Sequence, residues 1–272
     1  MLDGMIANSL EQALGILSGG IYTAYAGGTD LMIEPGKSSH YLYLHKVPEL
    51  KRIYKTGGYI HIGAACTFSE ALKNLLVPDI LKAAVKEIAA PAIRNLGTFG
   101  GNIANGSAKA DSALIFFVTD SLLRLASIKG ERIVTMKEFY KGRKELDLRD
   151  DELIVEIMMP SEGLENFYYK KVGARKALAI ARLSFAGVLD VEDGKIRNCA
   201  TAFGAISDVI VRSPQTDAML VGKTLAEAKL LKQAYINAYA NLLHPISGRI
   251  SSEYRKTVCM NLLRDFLLQN GI

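Results

Sequence analysis

Two stretches of the 272-residue chain bring together residue types that can hold a phosphate. One is Ala26-Gly27-Gly28-Thr29-Asp30. The other is Gly97-Thr98-Phe99-Gly100-Gly101-Asn102, inside a run from Arg94 to Ser107 with little helical or strand periodicity. Backbone N–H groups cradle an anion only where no side chain blocks the approach, which favours glycine, often at positive φ. A neighbouring Thr or Asn adds a side-chain donor to phosphate oxygens. Two such loops, converging, would suit a diphosphate. On composition alone the same glycines also read as tight turns between strands. A tight turn, however, does not need roughly ten aperiodic residues. Familiar phosphate motifs are absent. Gly36-Lys37-Ser38 imitates the end of a P-loop, but Leu31 stands where its upstream glycine belongs. Phe99 stands where a GxGxxG would need its second glycine, which disfavours a Rossmann dinucleotide site.

Other chemistries find no support. Cys66, Cys199 and Cys259 are isolated, and no CxxC or HExxH joins them to His40, His45, His61 or His244. The cysteines read as small buried hydrophobes, and no metal site is expected. The net charge is +5, but the basic stretches Lys137 to Lys144 and Lys170 to Lys176 are interrupted and tryptophan is absent. No nucleic-acid platform is expected; the bases are available to an anionic cofactor or an acidic partner. No apolar run approaches the ~20 residues of a membrane span. The N-terminus lacks the basic region of a secretory signal, so a cytoplasmic protein is expected. With 49% hydrophobic and 22% charged residues, the chain has the apolar surface of a folded protein.

The elements that must position the glycine runs follow from periodicity and caps. Ser9 and Gln12 make a capping box before Leu10, Ala13, Leu14 and Leu17, and Gly19-Gly20 end that helix. Ile21 to Ala26 and Tyr41 to His45 read as strands. Lys51 to Lys55 and Tyr59 to Ala64 form a hairpin around Gly57-Gly58. Thr67 and Glu70 cap a short helix, Pro78-Asp79 opens another to Ile88, and Asp111 begins an apolar helix to Val118. Ser121 to Ser127 and Glu131 to Thr135 form a second hairpin, and Glu152 to Pro160 is a strand. Beyond a linker at Ser161-Glu162-Gly163, Phe167 to Val172, Ala179 to Leu189 and Lys195 to Ala205 read as three antiparallel strands. Thr224 with Glu227 caps a helix to about Leu243, and Ser251 or Ser252 opens the last one. The expected class is α+β, with a domain over 1–163 (parts of about 1–55 and 56–163) and a second over 164–272.

At the glycine runs the sequence becomes specific. Ala26-Gly27-Gly28-Thr29-Asp30-Leu31 and Thr98-Phe99-Gly100-Gly101-Asn102-Ile103-Ala104-Asn105 resemble the two FAD-binding signatures of the medium subunit of molybdenum hydroxylases. This is the family of xanthine dehydrogenase, aldehyde oxidoreductase and carbon monoxide dehydrogenase. Ile93-Arg94-Asn95, Asp111, the segment Tyr169 to Ala177, Ala202-Phe203-Gly204-Ala205, Arg212-Ser213-Pro214 and Ser252-Glu253-Tyr254-Arg255 extend the likeness along the chain in order. The implied fold is a two-subdomain FAD-binding unit of the vanillyl-alcohol-oxidase (PCMH) type, followed by a three-stranded antiparallel sheet with a helical bundle. By the same resemblance, Ala24, Tyr25, Ala26, Gly27, Gly28, Thr29, Asp30 and Leu31 would hold the diphosphate and ribitol. Thr98, Phe99, Gly100, Gly101 and Asn102 would hold its other side. Asp111 would bond a polar group of the cofactor, Ile88 and Ile154 would make apolar contacts, and Lys171 would lie beside the flavin ring. Read without the resemblance, Lys171 is a solvated lysine and Asp111 a helix cap. Two departures stand out: Ala108-Lys109-Ala110 where the family often has proline, and Ser247-Gly248-Arg249-Ile250 where an Asp is common.

The resemblance implies an FAD-binding electron-transfer subunit with non-covalent FAD and no catalytic side chain. Electrons would come from a small [2Fe–2S] subunit, itself served by a large molybdopterin-binding subunit, and leave to NAD or another acceptor. The assembly would be a dimer of heterotrimers. A self-contained flavin-dependent oxidoreductase on the same fold is the alternative. An interaction subunit that has lost FAD is a third reading, opposed by the two intact glycine runs.

Overall fold

The computed structural model describes residues 3–33, 39–248 and 250–272. Gly36-Lys37-Ser38 and Arg249 lie outside the described residues. In chain order the elements begin with β1 (Asp3–Ile6), α1 (Leu10–Leu17), β2 (Thr23–Tyr25), β3 (His40–Tyr43), β4 (Ile53–Thr56) and β5 (Tyr59–Gly63). Next are α2 (Phe68–Lys73), α3 (Asp79–Lys86), α4 (Pro91–Arg94), α5 (Phe99–Ala104) and α6 (Asp111–Val118). There follow β6 (Leu122–Ser127), β7 (Gly130–Thr135), α7 (Met136–Phe139), β8 (Tyr140–Gly142), β9 (Glu145–Leu146) and β10 (Leu153–Pro160). The chain ends with β11 (Phe167–Val172), β12 (Leu183–Glu192), β13 (Lys195–Gly204), β14 (Val211–Arg212), α8 (Pro214–Asp217), α9 (Leu225–Leu242) and α10 (Ser252–Gln269). Two compact units result. The first takes Met1–Val77, Ala89–Gly106 and Asp120–Ser161; the second takes Pro78–Ile88, Ser107–Thr119 and Glu162–Ile272.

The first unit holds a parallel sheet in the order β1-β3-β2 and a five-stranded antiparallel sheet in the order β4-β5-β10-β6-β7. Ser9 caps α1 by accepting from Gln12 N, while Gln12 Oε1 reaches back to Asn8 N at 2.8 Å. The helix buries Ala13, Leu14 and Leu17 against Leu42 and Leu44 of the sheet segment. Gly57 and Gly58 have φ of 57° and 79°, the double left-handed turn that matches strand twist, so β4 and β5 close as a tight hairpin. β10 is the central strand, and every residue from Leu153 to Ile157 is buried. The expected strand Ile21 to Ala26 contracts to β2, because the glycine run begins immediately after it. No alternation marks β1 in the sequence, because all four of its residues are exposed.

The second unit is built on the sheet β11-β12-β13-β14. The sequence implied three strands; the fourth, β14, pairs only Val211 with Phe203 and Arg212 with Ala202, too short a run to show a period. Its Arg212 guanidinium donates to the buried Asp217 carboxylate, which also accepts from Tyr235 and Tyr239 at 2.6 and 2.7 Å. Phe185, Phe203 and Phe266 fill the core beside those tyrosines. Gly187 sits where a Cβ would lie 2.8 Å from the Phe266 ring, so glycine lets α10 approach β12. Helix α6 is buried at all eight positions. The capping boxes expected at Thr67 and Thr224 are both formed.

Candidate functional site

The first glycine run leaves β2 and turns beside the second. A Cβ on Gly27 would lie 2.0 Å from the Leu96 carbonyl oxygen, so the two runs touch backbone to backbone at that point. Gly28 has φ of 68°, and a Cβ there would meet the Tyr25 hydroxyl at 2.1 Å. Asn105 Nδ2 donates to Asp30 Oδ2 at 2.8 Å and ties the runs again. The N–H groups of Gly27, Gly28, Thr29, Asp30 and Leu31 reach no acceptor among the described residues. These five residues line a cavity of about 610 Å³, within the ~300–1,000 Å³ of small-molecule and cofactor sites.

The second run differs from its reading as a phosphate loop. It is the first turn of α5, with Thr98 as N-cap. Phe99 N donates to Cys66 O at 3.2 Å, Gly100 N to Ala64 O at 2.8 Å, and Gly101 N to Thr98 Oγ1 at 3.1 Å. These amides are spent on the fold. The glycine at 100 serves packing, since its Cβ would lie 2.6 Å from Ala64 Cβ and 2.8 Å from Ala64 O. Periodicity missed the turn because two glycines dilute its apolar face.

Ala24, Ala26, Gly27, Gly28, Thr29, Asp30, Leu31, Thr98, Gly101 and Asn102 all line this one cavity. Tyr25, Phe99 and Gly100 do not. Tyr25 packs against Tyr41 and Tyr43, and Phe99 is fully buried edge-on to Phe68. Ile154 is buried on β10, opposite Leu125. Sequence reasoning missed a further part of the wall: Lys144, Leu148, Arg149, Asp150 and Glu152, forty or more residues beyond the second run and carrying no motif. Gly106 was the available sign of it: at φ 65° its Cβ would meet the Lys144 backbone at 2.9 Å.

The second unit brings together two more of the expected residues. Lys171 Nζ pairs with Asp111 Oδ2 at 2.8 Å, and both side chains are 7% exposed. Lys171 also donates to Glu87 O at 2.9 Å, and the Tyr169 hydroxyl donates to Asp111 Oδ1 at 3.2 Å. Lys171 is therefore no solvated surface lysine. Asp111 is not the cap of α6 either, since Ala110 holds that position and the carboxylate turns to Lys171. Burial pushes the Asp111 carboxyl above its ordinary range, opposed by the Lys171 charge and the hydrogen bonds from Lys171 and Tyr169. Ile88 follows α3 in this unit, half-buried.

Among the described residues no group of three or more His, Cys, Asp or Glu is placed to hold a metal. No described helix is long and apolar enough to cross a membrane. Within the first unit the donor set is one of backbone amides at an open cavity; the second unit holds a lysine paired with a carboxylate. The amides and the cavity's size fit a phosphate-bearing cofactor such as FAD.

Comparison with known proteins gives this geometry a family. Residues 2–162 match the model of the FAD binding domain in molybdopterin dehydrogenase, and residues 167–270 that of the CO dehydrogenase flavoprotein C-terminal domain. The chain is 28% identical over 249 residues to the xanthine dehydrogenase FAD-binding subunit of Escherichia coli O157:H7, covering 88% of this chain and 84% of that one. It is 27% identical over 260 residues to the glyceraldehyde dehydrogenase medium chain of Sulfolobus acidocaldarius, covering 93% and 92%. It is 30% identical over 213 residues to the nicotinate dehydrogenase FAD-subunit of Eubacterium barkeri, covering 74% and 72%. Among solved structures, reconstituted CO dehydrogenase from Oligotropha carboxidovorans superimposes with a TM-score of 0.89 at 24% identity, covering 97% of this chain and 96% of that one. Quinoline 2-oxidoreductase from Pseudomonas putida 86 gives 0.88 at 22%, covering 100% and 97%. Those two likenesses establish the fold. With both family models matched in order, the chain belongs to the FAD-binding medium subunits of the xanthine dehydrogenase and CO dehydrogenase family, oxidoreductase subunits of molybdenum hydroxylases.

Proposed function

We propose that this chain binds FAD non-covalently and relays electrons from a partner's [2Fe–2S] clusters to NAD or another acceptor. Its partners are a small iron–sulfur subunit and a large molybdopterin-binding subunit, assembled as a dimer of heterotrimers in the cytoplasm. FAD supplies the electron chemistry; the protein supplies binding, orientation and electrostatics. Residues 1–163 and 164–272 are the two domains of this reading.

The observation that carries it is the wall of unpaired amides from Gly27 to Leu31 on a cavity of cofactor size. Those N–H groups would take the diphosphate, with the Thr98 hydroxyl beside them and Gly101 and Asn102 lining the same cavity. The remaining expected contacts divide by what they do. Tyr25, Phe99, Gly100 and Ile154 act by holding the cavity wall in place. Lys171 brings a positive charge to the flavin ring, and Asp111 acts through Lys171 by fixing its ammonium. Ile88 provides apolar contact. The relatives are named for xanthine, glyceraldehyde and nicotinate chemistry, which supports a reading in which the organic substrate is handled by a partner subunit.

Co-purification tests the reading. The chain expressed with its neighbouring reading frames should carry FAD together with molybdenum and iron. Reduction of the iron–sulfur clusters should then bleach the flavin. A flavin-loaded chain that oxidises an organic substrate without partners would replace this reading with a self-contained oxidoreductase.

A further inference from the structure

Part of the cavity wall is held by a residue that does not line it. Arg132, on β7, donates from Nε to Glu152 Oε1 at 2.7 Å and from Nη2 to Glu152 Oε2 at 2.8 Å, a two-pronged pairing. Its Nη1 donates to Asp147 Oδ2 and its Nη2 to Asp147 O, both at 2.6 Å. Glu152 Oε2 in turn accepts from Arg149 N at 2.9 Å, and Glu152 N donates to Arg149 O at 3.0 Å. One guanidinium thus closes 147–152 on itself. Leu148, Arg149, Asp150 and Glu152 from that segment line the cavity.

The charges make the arrangement more than a brace. The Glu152 side chain is only 3% exposed, yet it lines a cavity whose other wall offers amides to an anion. An uncompensated carboxylate there would repel a phosphate. The hydrogen bonds from Arg132, opposed by burial, hold Glu152 below its ordinary carboxylate range, so it stays charged and paired at neutral pH. Lysine could supply the charge but not the planar fork.

We infer that Arg132 is a positioning residue for FAD: it fixes the 147–152 wall and neutralises Glu152 so that the cavity accepts a diphosphate. The inference rests on the cavity being the FAD site. The test uses the full-length chain, stripped of flavin and titrated with FAD well below its unfolding midpoint. Arg132→Gln should raise the FAD Kd by about ten- to hundred-fold, the loss expected for hydrogen bonds to a charged group. The double variant Arg132→Gln with Glu152→Gln should recover much of that affinity, because the buried charge left at Glu152 with only Arg149 at 3.6 Å is gone, while the more exposed Asp147 stays solvated; a pure brace, lost with the Arg132 bonds to Asp147, would leave the double variant no better. Arg132→Lys should fall between wild type and Arg132→Gln, and it carries the test if Arg132→Gln fails to fold. Wild-type affinity in Arg132→Gln, or in Arg132→Lys if that is the only folded variant, overturns the inference. A double variant as weak as the single one also overturns it. Wild-type chain that takes up no FAD overturns the underlying reading instead, before any variant is compared.

Discussion

Gly27→Ala is the sharpest perturbation of the glycine runs. The added methyl carbon would stand 2.0 Å from Leu96 O, 2.7 Å from Leu96 C and 3.1 Å from Gly97 Cα. Cβ contacts under 3.0 Å are essentially never found, so the Leu96 carbonyl and the Gly27 backbone must separate by about 1 Å. The obstacle is backbone on both sides, with no flexible side-chain end to swing away. Overpacking of a fitted interior costs about 1–3 kcal/mol, and here the upper end applies. The effect on FAD should exceed the effect on stability. A displacement of about 1 Å at a binding constellation costs on the order of a hundred-fold where geometry is demanding. Deflavinated wild type and Gly27→Ala would be titrated with FAD by flavin fluorescence, with thermal unfolding recorded alongside. The expected result is a large rise in FAD Kd with an unfolding midpoint lowered by roughly 6–12 °C. A variant with wild-type affinity and midpoint would refute the argument that the runs are locked at Gly27.

Further predictions follow from single contacts. Gly15→Ala, in α1 with nothing within 4 Å of its Cβ position, should stabilise the protein by roughly 0.5–1 kcal/mol in chemical denaturation, with FAD affinity unchanged. Asp111→Asn strands the buried Lys171 ammonium and should cost about 3–5 kcal/mol, read as a lowered unfolding midpoint. Thr224→Ala removes the cap of the 18-residue α9 and should cost about 1 kcal/mol by the same assay. Glu152, whose folded pKa is depressed, contributes stability that is fully present above its unfolded value near ~4.3. That contribution is lost as pH falls through the lower folded value, so Glu152→Gln should flatten the acid limb of the stability profile.

The helices opened by a capping Ser or Thr and carrying an apolar face are the most legible part of the fold; the four- to six-residue helices α4, α5, α7 and α8 are too short to show a period. Ser9, Thr67, Thr224 and Ser251 each accept from the amide three residues on, so local chemistry and structure agree. The two hairpins were equally plain, because Gly57-Gly58 and Lys129-Gly130 break alternating runs. Elements defined by long-range pairing were not legible. β1 finds its partner β3 more than thirty residues away, and β14 has only two residues with which to announce itself. The candidate site divided in the same manner. Both glycine runs are visible as composition, and they do meet. What composition cannot distinguish is an amide free to bind a ligand from one already spent on the chain. Gly28 and Gly100 look alike in sequence, yet one fronts the cavity and the other packs on Ala64. The part of the wall from Asp147 to Glu152 is held by Arg132 from a separate strand, and no local motif encodes such a contact.

The central claim is that the cavity at Gly27 to Leu31 holds FAD. Its most direct test is the visible spectrum of the purified full-length chain, before and after addition of FAD, followed by denaturation and filtration. The account predicts flavin absorption bands that survive desalting, and FAD released into the filtrate by denaturation. A chain that is colourless as purified and takes up no added FAD would contradict it.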